Sequence, residues 1–381
     1  MRDGFALASF LARWSSSARH DLSASESATL RLADLLAMAE ADDQRRWEKL
    51  SLGYGDPNGA PWLRAEIATR HHGLEADDLL CCAGAHEGLT CVMRALLAPG
   101  DHVVVVVPIY QPSEQAVTSI CAATGVPLQD CGGWRLDIDR VAAAVRPQTR
   151  LVLMNFPNSP TGAPIDRTTL ESLVELCRRH GLWLVNDEVY RTMAEDAPAS
   201  PPPVADIYER GISINAVSKG FGLPGLRVGW VVCRDRAVLA RVLRAKSGLS
   251  SCLGTPNEVL AHIALRAEVG IVARNKAIAR SNSKLMQSVF ARHPDLFACD
   301  APGNLAFAAP RYLGARDAGA FAVSLVRAAG VLLLPFGLWR TMLAEVPADR
   351  LRIGLGGSGV ARALATLDEH LVNACGRATV A

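Results

Sequence analysis

Only five of the 40 basic residues are lysines: Lys49, Lys219, Lys246, Lys276 and Lys284. None lies between Lys49 and Lys219. Lysine can be a cation and, once deprotonated, a nucleophilic amine, whereas arginine keeps its charge. Covalent chemistry on an amine nitrogen therefore has five candidates. Lys219 follows the apolar run 212–217 and enters a glycine-rich turn, in NAVSKGFGLPGLRVGW. A strand end that opens into such a turn is a poor place for a solvated surface charge. Asp187 follows the apolar run 182–185, in LVNDEVY. A carboxylate there could bind a metal, act as a base or hold a protonated ring nitrogen, or be a structural cap. Tyr190 lies three residues on and could face the same site.

Two further stretches also follow apolar runs. NFPNSPTG, with Asn158 and Ser159, comes directly after 151–154; its Asn, Ser and Pro build a tight turn. Gly84, Ala85 and His86 come between 79–82 and a helical run at 89–97. Free N–H groups at such a helix start would hold a phosphate. Two runs match G-x-G-x-x-G, at Gly220–Gly225 and Gly354–Gly359. Neither fits a dinucleotide site, which needs a helix at the motif and an acidic residue about 20 positions on. Ala245 stands 20 residues after Gly225, and only 22 residues follow Gly359.

The elements that must position these residues are short apolar strands alternating with helical runs. Strands are expected at 103–107, 151–154, 182–185, 212–217 and 228–232, and a helix at 168–180 that stops at Gly181. This alternation predicts an α/β unit with a mostly parallel sheet, whose ligands sit beyond the carboxyl ends of the strands. After about residue 259 the helices lengthen and strands become sparse. That predicts a smaller α+β domain at 251–381, joined by an N-terminal segment at 1–50, with the large domain at 51–250.

The formal charge of +2 gives no reason to expect nucleic acid or an anionic membrane as partner. The longest strongly apolar run, 103–109, falls far short of the roughly 20 residues that span a bilayer. The N-terminal apolar patch is too short for a signal peptide. The ten cysteines are scattered without a CxxC pair, as expected of reduced thiols in a cytoplasmic protein. No metal site is expected: the pair His71-His72 lacks a second pair of ligands nearby. The Pro-rich stretch 198–203 reads as a loop.

Taken together these motifs resemble the class I/II aminotransferases, the fold-type I enzymes that use pyridoxal 5′-phosphate (PLP). Ser159 to Asp187 is 28 residues, Asp187 to Tyr190 is three and Lys219 to Arg227 is eight, separations similar to that family's. The resemblance implies a PLP aldimine on Lys219, which would also move the substrate α-proton. Asp187 would keep the pyridine nitrogen protonated, Tyr190 would bond the phenolic oxygen and Tyr110 would stack on the ring. Gly84, Ala85, His86, Ser218 and Arg227 would hold the phosphate. Arg352, in LRIGLG, would bind the substrate α-carboxylate. Tyr54 would reach the phosphate of a neighbouring subunit, which implies a homodimer with shared active sites.

Two positions depart from that pattern. Ser159 stands where the family usually has Asn before Pro-Thr-Gly, so Asn158 or water would replace it, or the substrate contact there would be weaker. Ala216 stands where a phosphate-binding Ser is common. The wording GFGLPGLRVGW and DLSASES resembles a branch holding ordinary aminotransferases and capreomycidine synthase-like enzymes of antibiotic biosynthesis. In that branch the N-terminal segment lies over the site. Glu26 would then meet a cationic side chain such as a guanidinium; the alternative is that Ser25-Glu26-Ser27 caps a helix at 29–38. The expected activity is transamination of an α-amino acid with a keto acid. The alternative is a PLP-dependent cyclase or lyase acting on an arginine-derived amino acid.

Overall fold

A computed structural model describes residues 5–194, 201–299 and 306–378. Residues 198–200 of the expected Pro-rich loop lie outside them.

Seven strands form the central sheet: β1 (Leu79–Cys82), β2 (His102–Val107), β3 (Ala122–Pro127), β4 (Thr149–Asn155), β5 (Trp183–Asp187), β6 (Gly211–Ala216) and β7 (Gly229–Cys233). In space they run β1-β7-β6-β5-β4-β2-β3. Only β7 runs against its neighbours. Strand β2, HVVVVV, is buried at every position, as a parallel strand covered on both faces must be. Val103, Val105 and Val107 pack with Leu89 and Met93 on one face. Val104 and Val106 pack with Leu170 and Leu173 on the other. Each such side chain gains about 1.5–3 kcal/mol by leaving water.

The helix Arg167–His180 covers the second face. It starts where the Asp166 side chain accepts from the Thr169 N–H, and it stops at Gly181, whose φ of 63° suits glycine. The pairing then aligns the strand ends. Asn155 sits beside Asp187, Asp187 beside Ile214, and Ala216 beside Gly229. The candidate residues therefore emerge along one carboxyl edge.

A second core gathers around a three-stranded antiparallel sheet of β8 (Phe307–Ala308), β9 (Leu334–Pro335) and β10 (Leu351–Gly354), in the order β8-β10-β9. Ile353, Leu325, Leu364 and Leu367 fill it, and Leu22, Tyr190 and Met193 reach it from elsewhere in the chain. The helix Thr255–Arg266 was expected beyond a boundary at 250. Its Val259 and Ile263 instead pack with Leu79, Val217 and Trp230 against the large sheet. Leu35, within 1–50, joins that cluster too, so the N-terminal segment contacts both cores. Among the described residues no helix is long and apolar enough to cross a membrane.

Candidate active site

A cavity of about 500 Å³ opens at the carboxyl edge of the large sheet, between the two cores. Lys219 follows β6 directly and lines it. Its Nζ donates to Ser25 Oγ at 2.8 Å and lies 3.9 Å from Glu26 Oε2. The same Nζ stands 5.9 Å from the centre of the Tyr190 ring. Tyr190 is buried, with its ring edge-on to Phe307 at 5.1 Å.

Asp187 ends β5 at the cavity floor. Burial pushes its carboxyl up to about 6, against a smaller downward pull from the Val189 N–H and from Lys219. Among the described residues one hydrogen bond reaches the carboxylate, from that N–H at 3.3 Å. A protonated ring nitrogen brought to it would supply the missing partner.

The anion cradle is built from glycines. Gly84, at φ 86°, caps the helix Ala85–Leu96, whose first N–H groups have no intrahelical acceptor. Arg227 adopts φ 49°, the one left-handed non-glycine residue among those described. From there its guanidinium folds back onto the Ala83 carbonyl. A Cβ at Gly229 would lie 2.6 Å from both Ala85 N and Gly84 C, so the cradle also depends on that glycine. His86 lines the cavity, and burial together with Arg227 lowers its tendency to protonate. Its ring meets Tyr110 edge-on at 6.1 Å.

Arg352, on β10, is buried between the rings of Trp339 at 5.0 Å and Phe307 at 5.4 Å. Its Nη2 donates to the Ser23 carbonyl. Its Nε has no hydrogen-bond partner among the described residues. A buried, unpaired guanidinium nitrogen costs several kcal/mol and calls for an anion.

Ala85, Ser159 and Ser218 also line the cavity. Asn158 does not: it is fully buried, donating to the Pro108 carbonyl and accepting from Thr161 Oγ1, and so cannot replace the missing family asparagine. Asn155 faces the cavity instead. It donates to the Asp187 carbonyl and accepts from the Ser159 N–H, tying two strand ends together. Tyr54 is 94% exposed, away from the cavity of its own chain. The helix expected at 29–38 is only Leu32–Leu36, with Arg31 at its N-cap, so Ser25-Glu26-Ser27 caps nothing. Glu26 lines the cavity.

The sequence reading missed Asn155, Asp21, Ser25 and the apolar wall made by Phe5, Leu7 and Leu11. Asn155 was legible as a polar residue closing an apolar strand. Asp21 and Ser25 lie in the DLSASES segment expected over the site but carried no role of their own, and nothing local marked the apolar wall.

The family model for aminotransferase class I and II matches residues 21–360. The chain belongs to this family. It is an enzyme, a transferase dependent on PLP. The chain is 40% identical to arginine–pyruvate transaminase from Pseudomonas aeruginosa over 190 residues, which span about half of each protein, 47% in both cases. It is 32% identical to a probable N-succinyldiaminopimelate aminotransferase from Mycobacterium tuberculosis over 73% of this chain and 72% of that one. It is 29% identical to capreomycidine synthase from Streptomyces vinaceus over 86% and 83%. Among solved structures, a PLP-dependent aminotransferase from Streptococcus suis superposes with a TM-score of 0.90, at 26% identity over 98% and 99% of the two chains. The PLP-dependent cyclase OrfR superposes at 0.87, with 27% identity over 98% of both. The residues present fit the cofactor: an amine, a carboxyl raised by burial, a glycine cradle with a guanidinium, and an orphaned Arg352 nitrogen for the substrate.

Proposed function

We propose that this protein transaminates an α-amino acid carrying a cationic side chain. PLP, when bound, supplies the electron sink that accepts the Cα–H electron pair. The rest is done by the chain. Arg227, Ser218 and the N–H groups after Gly84 hold the phosphate, and Asp187 keeps a proton on the ring nitrogen. Tyr190 and Tyr110 fix the ring, and Arg352 takes the α-carboxylate with its free Nε and a terminal nitrogen. Lys219 Nζ accepts the α-proton and returns it to the neighbouring carbon.

The observation that carries the reading is the unpartnered Arg352 Nε facing the same cavity as Lys219. Charge balance carries the substrate class. The cavity walls hold three cations, Lys219, Arg227 and Arg352, and three carboxylates, Asp187, Asp21 and Glu26. Asp187, Arg227 and Arg352 would hold the ring nitrogen, the phosphate and the α-carboxylate, and Lys219 would be taken up by the reaction itself. Glu26 and Asp21 are left without a counter-charge, beside an apolar wall suited to a methylene stem. A guanidinium or ammonium at the end of such a stem balances them. One relative's name, arginine–pyruvate transaminase, agrees with this class.

The similarity to capreomycidine synthase and OrfR supports a second reading, ring closure on an arginine-derived amino acid. Every residue above serves that reading too. The exposed Tyr54 and Leu52 suit a homodimer in which Tyr54 completes the neighbour's phosphate site, and the setting proposed is the cytoplasm.

The test is an absorbance spectrum of the purified protein followed by product analysis. A lysine-bound PLP band that disappears in Lys219→Ala supports the site; its absence from the wild type refutes it. Arginine with pyruvate should yield a keto acid and alanine. A cyclised amino acid with no keto acid would establish the second reading.

A further inference from the structure

Two glycine runs that resemble dinucleotide motifs have another use here. Residues 23–28 pass between them as an extended strap. A Cβ at Gly222 would meet the Ala28 and Ser27 carbonyls at 2.7 and 2.9 Å. One at Gly356 would meet the Glu26 carbonyl at 2.7 Å and Ser27 Cα at 2.8 Å, and one at Gly354 would collide with the Ala24 carbonyl. The Ser27 N–H donates to the Lys219 carbonyl at 3.0 Å, and the Gly354 N–H to that of Leu22 at 2.7 Å. Arg274 holds the Ala28 carbonyl, and Arg352 that of Ser23. The strap is thus fixed at both ends and in the middle, with its side chains turned to the cavity at Ser23, Ser25 and Glu26.

This arrangement sets Ser25 Oγ 2.8 Å from Lys219 Nζ. The Ser25 N–H in turn donates to Glu26 Oε2 at 3.1 Å, holding that carboxylate near the same nitrogen. The other charged or titratable groups lining the same cavity are Asp187 and Tyr190 at and after the end of β5, Arg352 from β10, Asp21 just before the strap, and His86, Tyr110 and Arg227 on the cofactor side.

We propose that Ser25 is a catalytic residue that holds Lys219 Nζ in line with the reacting carbons in both of its protonation states. The inference rests on Lys219 being the reacting nitrogen. A hydroxyl is donor and acceptor at once, so it can accept from the ammonium and, after rotating, donate to the amine lone pair. Lys219 alternates between those two states within each half-reaction. The Cα–H bond breaks, its electron pair stays with the substrate and cofactor, and the proton adds to the Nζ lone pair. The same proton then leaves Nζ for the neighbouring carbon, so no external acid or oxidant is required. Without Ser25 the nitrogen would keep its Glu26 neighbour but lose the contact that aims it. A side chain with four rotatable bonds then samples non-productive positions.

The test compares holoenzymes of wild type, Ser25→Ala and Ser25→Thr on the basic amino acid the wild type turns over. In Ser25→Ala kcat should fall about tenfold or more with KM nearly unchanged, as loss of proton-transfer alignment predicts. Loss of α-deuterium from substrate to solvent should slow by the same factor, and Ser25→Thr should recover most of it. In cofactor-free protein, acetylation of Lys219 by an acetylating ester, measured against the exposed Lys49, should rise in Ser25→Ala and fall back in Ser25→Thr. A smaller loss of kcat, a change confined to KM, or an unchanged acetylation ratio overturns the proposal. If the wild type itself shows neither a lysine-bound PLP band nor turnover, the proposed function fails first. If it shows both while Ser25→Ala matches it, only this inference fails.

Discussion

Gly84 and Arg227 interlock: a Cβ on Gly84 would fall inside the Arg227 guanidinium, and each residue holds a left-handed φ to make the fit. A helix start is an anion site in any fold. Here the missing side chain lets a fixed guanidinium lie against it. The left-handed backbone at Arg227 costs on the order of 1 kcal/mol, which the fold retains where the side chain must point back into the site.

Gly84→Ala should therefore displace Arg227 from the cradle. Loss of a charge-assisted hydrogen bond, worth about 1.5–3 kcal/mol, should raise the Kd for PLP roughly tenfold to a hundredfold. Titration of the cofactor-free protein, read by absorbance, measures this. Wild-type affinity in the variant would show that the cradle is elsewhere.

Asp187 makes a pH prediction for the cofactor-free protein. Its folded-state pKa of about 6 lies above the ordinary carboxylate value of 3.8. The unfolded chain therefore ionises first as pH rises. Stability present below about pH 4 is lost as pH climbs through 6, by about 1–3 kcal/mol. Asp187→Asn removes this dependence. Its Tm should exceed that of the wild type at pH 7, with a smaller difference at pH 4.5. A constant gap across that window would contradict the assignment. Saturating PLP, which supplies a ring-nitrogen partner, should narrow the gap at pH 7.

Arg352→Lys keeps the charge but loses the forked geometry and the stacking between Trp339 and Phe307. With one partner of a buried ion pair replaced, kcat/KM for the amino acid should fall by about 2–5 kcal/mol, or roughly 30-fold to several thousandfold. The PLP absorbance band should be retained. A variant that loses cofactor binding instead would place Arg352 outside the substrate site.

Glu26→Gln separates the substrate class from the reaction. Selectivity for arginine or lysine over an uncharged amino acid of similar length should drop about tenfold, as one opposed charge is withdrawn. Steady-state rates on both substrates give the ratio. An unchanged ratio would remove Glu26 from side-chain recognition.

The exposed Tyr54 predicts complementation between subunits. Lys219→Ala and Tyr54→Phe are each expected to be impaired, and an equimolar mixture of the two should regain activity through hybrid dimers. No recovery after subunit exchange would argue against a shared site.

The chain's sequence singled out the proposed site residues because each is marked locally. Lys219, Asp187 and Ser159 stand a few residues beyond apolar runs, and those runs became β6, β5 and β4 to within a residue or two. Strand burial and strand termination are short-range properties, so the carboxyl edge was legible. Tertiary structure alone decided which of two neighbouring asparagines faces the cavity. The side chain of Asn158 is spent on the Pro108 carbonyl, whereas Asn155 sits at the open strand end. It also decided the fate of Glu26 and of Ser25, the latter 194 positions in sequence from the lysine it touches. Their placement depends on three glycines, Gly222 beside the large sheet and Gly354 and Gly356 beside the small one, leaving just enough room for a strap to pass. Close approach of backbones is a property of the space between elements, and a list of residues carries no measure of that space.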